Sequence, residues 1–143
     1  MRALLDVNVL VALLDQGHLH HSAASQWMVR HAKSGWASCP MTQNGCLRIL
    51  SLSSYPNSHP TAVVASRLSE AMNTPFHKFW PDAINLLEPD LLRWDRILTS
   101  RQITDTYLLA LAASHQSRLV TFDRGISVDA VASASKANLV LLS

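Results

Sequence analysis

The stretch Leu4-Leu5-Asp6-Val7-Asn8-Val9-Leu10 decides how the chain is read. A short apolar run over residues 3–5 stops at an aspartate, and an apolar stretch with helical character follows at once over 7–14. The order is strand, acid, helix. Working outward, residues 22–33 place Ala24, Trp27, Met28 and His31 at helical spacing, and 36–39 read as a second short strand. Thr42 stands as the cap of the next helix, which carries Cys46, Leu47, Ile49 and Leu50 on one face. Residues 51–59, rich in Ser, Asn and Pro, form a loop, and 61–72 form another helix. A strand over 76–80 is halted by Pro81, and 89–98 is a short helix or turn with Trp94 packed inward. In the last third Thr104 caps an apolar helix over 105–114, and strands follow at 119–122 and 139–142. Strands alternating with helices, without repeats or linkers, predict a single α/β domain with a central parallel sheet flanked by helices.

Composition narrows the possibilities. The 143 residues suffice for one domain, and 48% apolar content excludes a disordered chain. Only 15% of the residues are charged, well below the roughly 25% usual in soluble domains, which predicts that part of the surface is covered by a partner. Nine Arg stand against three Lys and eight Asp against two Glu, for a net charge of +2 that permits nucleic-acid binding without announcing it. Asp6, Asn8 and Asp15 interrupt the apolar N-terminus, so no run approaches the roughly 18 residues of a membrane span, and a signal peptide is equally disfavoured. Cys39 and Cys46 form no CxxC pair, so neither a disulfide framework nor a zinc site is expected. The default is a cytoplasmic protein with reduced, packed thiols.

Three aspartates share one local context. Asp6 closes the first strand, Asp123 closes the strand over 119–122, and Asp105 opens a helix. Strand C-termini and helix N-termini of an open parallel sheet lie on one edge, where such folds bind ligands. The three acids can therefore converge on that edge, although far apart along the chain. Gathered carboxylates repel one another unless a divalent cation neutralises them, and hard oxygen donors with room for water suit Mg²⁺ or Mn²⁺. Taken singly, each aspartate is better explained as a helix cap than as a ligand.

The wording around the acids separates the two readings. The strings Leu-Leu-Asp-Val-Asn-Val-Leu (4–10), Thr-Asp-Thr-Tyr-Leu-Leu-Ala-Leu-Ala (104–112) and Leu-Val-Thr-Phe-Asp-Arg-Gly (119–125) resemble those of PIN-domain ribonucleases, specifically the VapC-type toxins of bacterial toxin–antitoxin pairs. Cys-Pro-Met-Thr-Gln-Asn-Gly-Cys-Leu-Arg-Ile-Leu (39–50) and Phe-Trp-Pro-Asp (79–82) extend the resemblance over residues 1–143. It implies a PIN-like three-layer fold whose acidic edge binds Mg²⁺ or Mn²⁺ and hydrolyses RNA with a metal-activated water. Asp6, Asp105 and Asp123 match the acidic positions, and Asn8 and Thr121 match the polar positions that support them. At the fourth acidic position, where such proteins commonly carry Glu, this chain has Gln43. The amide removes a negative charge, so one metal is expected, held chiefly by Asp6 and Asp105, with Asp123 direct or through water. The resemblance also implies a small antitoxin protein as partner and a homodimer, whose faces would account for the missing surface charge.

Other residues invite weaker readings. Seven His, with the pair His20-His21, match no zinc spacing and read as surface or hydrogen-bonded side chains. Arg48 and Arg124 are the arginines expected near the acidic edge, where they would contact RNA phosphates. Gly45, inside a helix, is explained equally by close backbone approach near the site or by simple tolerance, and the four Trp suggest core or interface rather than base stacking. Two alternatives remain open. Asp6-Val7-Asn8 after a strand resembles the start of haloacid-dehalogenase-type phosphatases, but the second acid is Asn8 and no suitable Lys follows. A degenerate PIN module that binds RNA or a partner without cleavage is favoured by Gln43 alone.

Overall fold

The computed structural model describes residues 1–143. Five short strands, β1 (Ala3–Leu5), β2 (Trp36–Ser38), β3 (His77–Phe79), β4 (Arg118–Thr121) and β5 (Leu139–Leu141), form one all-parallel sheet in the order β3-β2-β1-β4-β5. Five helices connect them: α1 (Val7–Leu14), α2 (His21–His31), α3 (Pro40–Ser51), α4 (Thr61–Met72) and α5 (Gln102–Ser114). The order reverses between β1 and β4, so the loops leaving these two neighbours diverge and open a crevice at their C-terminal ends.

Side-chain alternation splits the core into two layers. Ala3, Leu5, Trp36 and Val120 face Val9, Leu10 and Val11 of α1, Ala24 of α2, Cys46 and Leu50 of α3, and Val64 and Leu68 of α4. Leu4, Ala37 and Leu119 point the other way, onto Leu108, Leu109 and Leu111 of α5. The central strands are buried on both faces, which is why they read as continuous apolar runs. This is the helix–sheet–helix layering that the strand and helix pattern predicts.

Two close approaches hold the layers in place. A Cβ on Gly45 would lie 2.7 Å from Val7 Cγ2, so α3 crosses α1 at a distance that only glycine permits. Gly35, at φ 95°, turns the chain into β2 under the guanidinium of Arg2, which donates to the carbonyls of Trp36 (3.0 Å) and Phe76 (2.7 Å). At the far end of α1 the buried Asp15 carboxylate accepts from the Tyr55 hydroxyl, from Asn57 Nδ2 (2.9 Å) and from the Gly17 N–H (3.0 Å), anchoring the loop after α3. These hydrogen bonds hold the Asp15 carboxyl below the usual carboxylate range.

Three sequence expectations are corrected. α3 begins at Pro40 rather than after Thr42, because proline suits the first helical position; Thr42 is its third residue and accepts the Cys39 N–H at 3.0 Å. α5 begins at Gln102, and Thr104 is inside it. The Gln102 side chain takes the N–H groups of Leu98 (2.8 Å) and Thr99 (3.1 Å), closing the turn that starts the helix. Trp94, expected inside, is 47% exposed on a single 3-10 turn, Trp94–Arg96, and the core beneath that segment is filled by Leu92 instead.

Candidate active site

Local geometry brings two of the acids to the crevice and packing brings the third. Asp6 directly follows β1 and caps α1, its Oδ1 accepting the Val7 N–H at 2.7 Å. Asp6 Oδ2 accepts from the Thr121 hydroxyl, also at 2.7 Å, across the β1–β4 pair. The same Thr121 oxygen accepts the Asp123 N–H at 3.0 Å, and Asp123 Oδ1 accepts the Gly125 N–H at 2.7 Å in a tight turn. Asp105 enters from the first turn of α5 in the opposite layer.

The acids sense one another. Burial pushes the Asp6 carboxyl above the usual range; the Thr121 and Val7 donors pull the other way, and the Asp123 charge adds to the rise. Asp105 is pushed up to about 8, first by burial, then by a hydrogen bond shared with Asp123 and by the charges of Asp6 and Asp123. Asp123 is held low by that same bond, by the Gly125 N–H and by the Arg101 guanidinium. Of the pair, Asp105 is therefore the one pushed toward its protonated form.

The other expected residues divide. Thr121 bridges two acids, whereas Asn8 is exposed on the first turn of α1 and bonds to none of them. Gln43 turns toward β2: its Nε2 donates to Ser38 Oγ (3.1 Å) and approaches Met72 Sδ (3.4 Å), while Ser38 Oγ is 2.8 Å from His77 Nε2. Arg48 is not brought to the edge. It lies in the last turn of α3, about 12 Å along the axis from the helix start. Arg124 is exposed immediately after Asp123. Arg101, directly before α5, lies near enough for its charge to lower Asp123, although no ion pair joins the two and no motif marks it. Only its position before the Thr-Asp string could have drawn attention to it.

Metal binding can be judged from the donor set. No three acidic, His or Cys side chains are drawn tightly enough to cage an ion by themselves. The close pair is Asp105 and Asp123, with Asp6 as neighbour; Asp6 already accepts a hydrogen bond on each oxygen. Three gathered carboxylates, with Asp6 and Asp105 both pushed above the usual range, fit a hard cation that retains several waters, such as Mg²⁺ or Mn²⁺. They do not fit a closed, all-protein cage.

A parallel sheet in this order, with acids at the crevice between its first and fourth strands, defines the class as a PIN-type α/β domain. Residues 3–130 match the family model described as PIN domain. The chain is 44% identical over 142 residues to Ribonuclease VapC44 of Mycobacterium tuberculosis, covering 99% of this chain and 100% of that one. It is 40% identical over 133 residues to Ribonuclease VapC39 of the same organism, covering 92% and 96%. The chain thus belongs to the PIN-domain family and, within it, to the VapC group. Two solved structures share the fold. One is VapBC2 from Rickettsia felis bound to a promoter DNA fragment, with TM-score 0.63, 12% identity and full coverage of both chains. The other is Mycobacterium tuberculosis VapC20, described as a sarcin-ricin loop cleaving toxin, with TM-score 0.58, 9% identity and coverage of 81% and 85%.

Proposed function

We propose that the chain is a Mg²⁺- or Mn²⁺-dependent endoribonuclease, the toxin of a toxin–antitoxin pair. The observation that carries this reading is the meeting of Asp6, Asp105 and Asp123 at the crevice between β1 and β4, where the Thr121 hydroxyl ties the first of them to the third. Names of the relatives support the reaction class: full-length matches at 44% and 40% identity are ribonucleases. A bound divalent cation would be held by Asp105, Asp123 and Asp6, and supplies the Lewis acidity that polarises a phosphoryl oxygen. The chain's own residues supply the rest. Thr121 and the Val7 N–H lock the Asp6 carboxylate, the Gly125 N–H locks Asp123, and Arg101 and Arg124 offer positive charge to an incoming phosphate.

An antitoxin and a second copy of the chain are the proposed protein partners. An apolar hollow of about 300 Å³, lined by Leu10, Leu13 and Leu14 of α1, Met28 of α2 and Leu68 of α4, supports the first, together with the VapBC architecture of the structural neighbour. No helix is long and apolar enough to cross a membrane. The proposed location is the cytoplasm, where Cys39 and Cys46, both buried and unpaired, stay reduced.

The test is cleavage of structured RNA by purified protein with Mn²⁺, with and without chelator. Cleavage abolished by chelator and by Asp6→Asn is the expected result. Undiminished cutting by Asp6→Asn sinks the mechanism, and RNA binding without cleavage identifies a non-catalytic module.

A further inference from the structure

We propose that His20 is a substrate-contacting residue of the crevice, its imidazole N–H donating to a backbone phosphate of the RNA beside the scissile bond; the inference rests on the ribonuclease reading for its substrate. Three histidines crowd the turn between α1 and α2, and two of them are committed to the fold. His18 accepts the His20 backbone N–H on its ring Nδ1 at 3.0 Å. His21 donates from Nδ1 to the Ala12 carbonyl of α1 at 2.7 Å, and its Nε2 lies 3.4 Å from the Ser25 hydroxyl. His20 differs from both. Its half-buried ring lies flat on Phe122, with centroids 4.5 Å apart and planes 20° apart, and neither ring nitrogen is bonded within the protein.

Phe122 fixes where this ring stands. It lies between Thr121, whose hydroxyl bonds Asp6, and Asp123, whose N–H bonds Thr121, one peptide step of about 3.8 Å from each. The Phe122 ring packs on the core layer of α1 and α2, whereas Asp105 enters from α5 in the opposite layer. His20 therefore stands on the α2 side of the crevice, across the acids from α5. An imidazole pinned on one face by a stack loses little freedom when its edge meets a ligand.

Charge on this side selects an anion. Residues 16–69, which include all of α2 and α3, contain no Asp or Glu, while four Arg or Lys and five of the seven His fall within them. Asp15, at the start of the turn, is buried, and its carboxylate already accepts from Tyr55, Asn57 and the Gly17 N–H. Asp6 likewise has a donor on each oxygen. The free His20 edge has no carboxylate of its own to serve, and in either protonation state it carries at least one N–H for a phosphate oxygen.

The test measures binding with chelator present, so that cleavage does not intrude, and then turnover with Mn²⁺. A labelled single-stranded RNA of about ten nucleotides is titrated by fluorescence anisotropy against wild type, His20→Phe, His20→Ala and His59→Ala. His20→Phe keeps a flat ring on Phe122 and removes both nitrogens, so it separates contact from packing. The expected result is binding weakened about three- to tenfold by His20→Phe and His20→Ala alike, the loss of one hydrogen bond, with KM raised by a similar factor and kcat little changed. His59→Ala, in the connection between α3 and α4, should bind as wild type, and His20→Phe should melt as wild type. Wild-type affinity in His20→Phe overturns the proposal and leaves His20 a packing residue. So does a fall in kcat at unchanged KM, or an equal loss in His59→Ala. The two readings fail separately: RNA binding without metal-dependent cleavage removes the nuclease and leaves the contact, whereas wild-type cleavage with unaltered His20→Phe affinity removes only the contact.

Discussion

The Thr121 hydroxyl donates to the Asp6 carboxylate at 2.7 Å, joining residues 115 positions apart at the crevice between β1 and β4. Because the same oxygen accepts the Asp123 N–H at 3.0 Å, one side chain sets the positions of two acids. Thr121→Val keeps the shape and removes both interactions. It is expected to cost about 1–3 kcal/mol, the usual penalty for leaving buried polar groups unpaired, and to lower RNA cleavage. Thr121→Ser retains the hydroxyl and should behave nearly as wild type. Urea unfolding and single-turnover cleavage check both statements.

Asp105 ties stability to pH. Its folded-state pKa of about 8 exceeds the reference value of 3.8, so between those values the folded protein binds a proton that the unfolded chain does not. The stability it contributes is complete below the unfolded value and is lost as pH rises through about 8. Asp123, held low, acts in the opposite sense and only at the acid end, its contribution vanishing as pH falls. Metal-free protein should therefore lose thermal stability from about pH 4 to about pH 8 and level off above it, and Asp105→Asn should flatten that slope while abolishing cleavage. Differential scanning calorimetry across this range is the measurement.

The same proton links metal affinity to pH. Below about 8, a cation binding Asp105 must displace it, so Mn²⁺ affinity should rise with pH toward that value and proton release should accompany binding. Calorimetric titration in buffers of different ionisation enthalpy would register the proton. An affinity independent of pH would show that Asp105 is not a ligand.

Gly45→Ala is expected to destabilise the protein despite alanine's better helix propensity. The propensity gain is about 0.5–1 kcal/mol, but the new Cβ would meet Val7 Cγ2 at 2.7 Å, and overpacking of this kind costs about 1–3 kcal/mol. Adding Val7→Ala should recover much of the loss. A double-mutant cycle by urea unfolding tests the coupling.

Gln43→Glu exchanges an N–H donor for a carboxylate facing Ser38 Oγ and the Met72 thioether. The expected outcome is a loss of about 1–2 kcal/mol in unfolding free energy, reduced if Ser38 turns its proton toward the new acid. Equilibrium unfolding of the single variant and of its combination with Ser38→Ala distinguishes the two cases.

Much of the architecture could be read from local pattern. The apolar run before Asp6, the helical spacing after it, and the apolar strand before Asp123 report burial directly, because strands covered on both faces have no polar alternation to obscure them. Helix starts were less legible. Thr42 and Thr104 have the chemistry of caps, but Pro40 and the Gln102 side chain begin the helices two residues earlier. Trp94 misled for a related reason. Its bulk suggests burial, yet Leu92 takes the core position and the adjacent turn rotates the indole outward.

By itself the sequence determined the strand and helix order, the three acids at element ends and the family to which they belong, since each is written within a few consecutive residues. Which acids crowd one another, that Thr121 rather than Asn8 supports Asp6 and that Gln43 turns to Ser38 were decided by the tertiary structure alone. The physical reason is one of range. Burial periodicity and capping act over a single turn of chain, whereas hydrogen bonds and charge coupling depend on distances set only when α5 closes over β1 and β4 and brings residues about a hundred positions apart into contact.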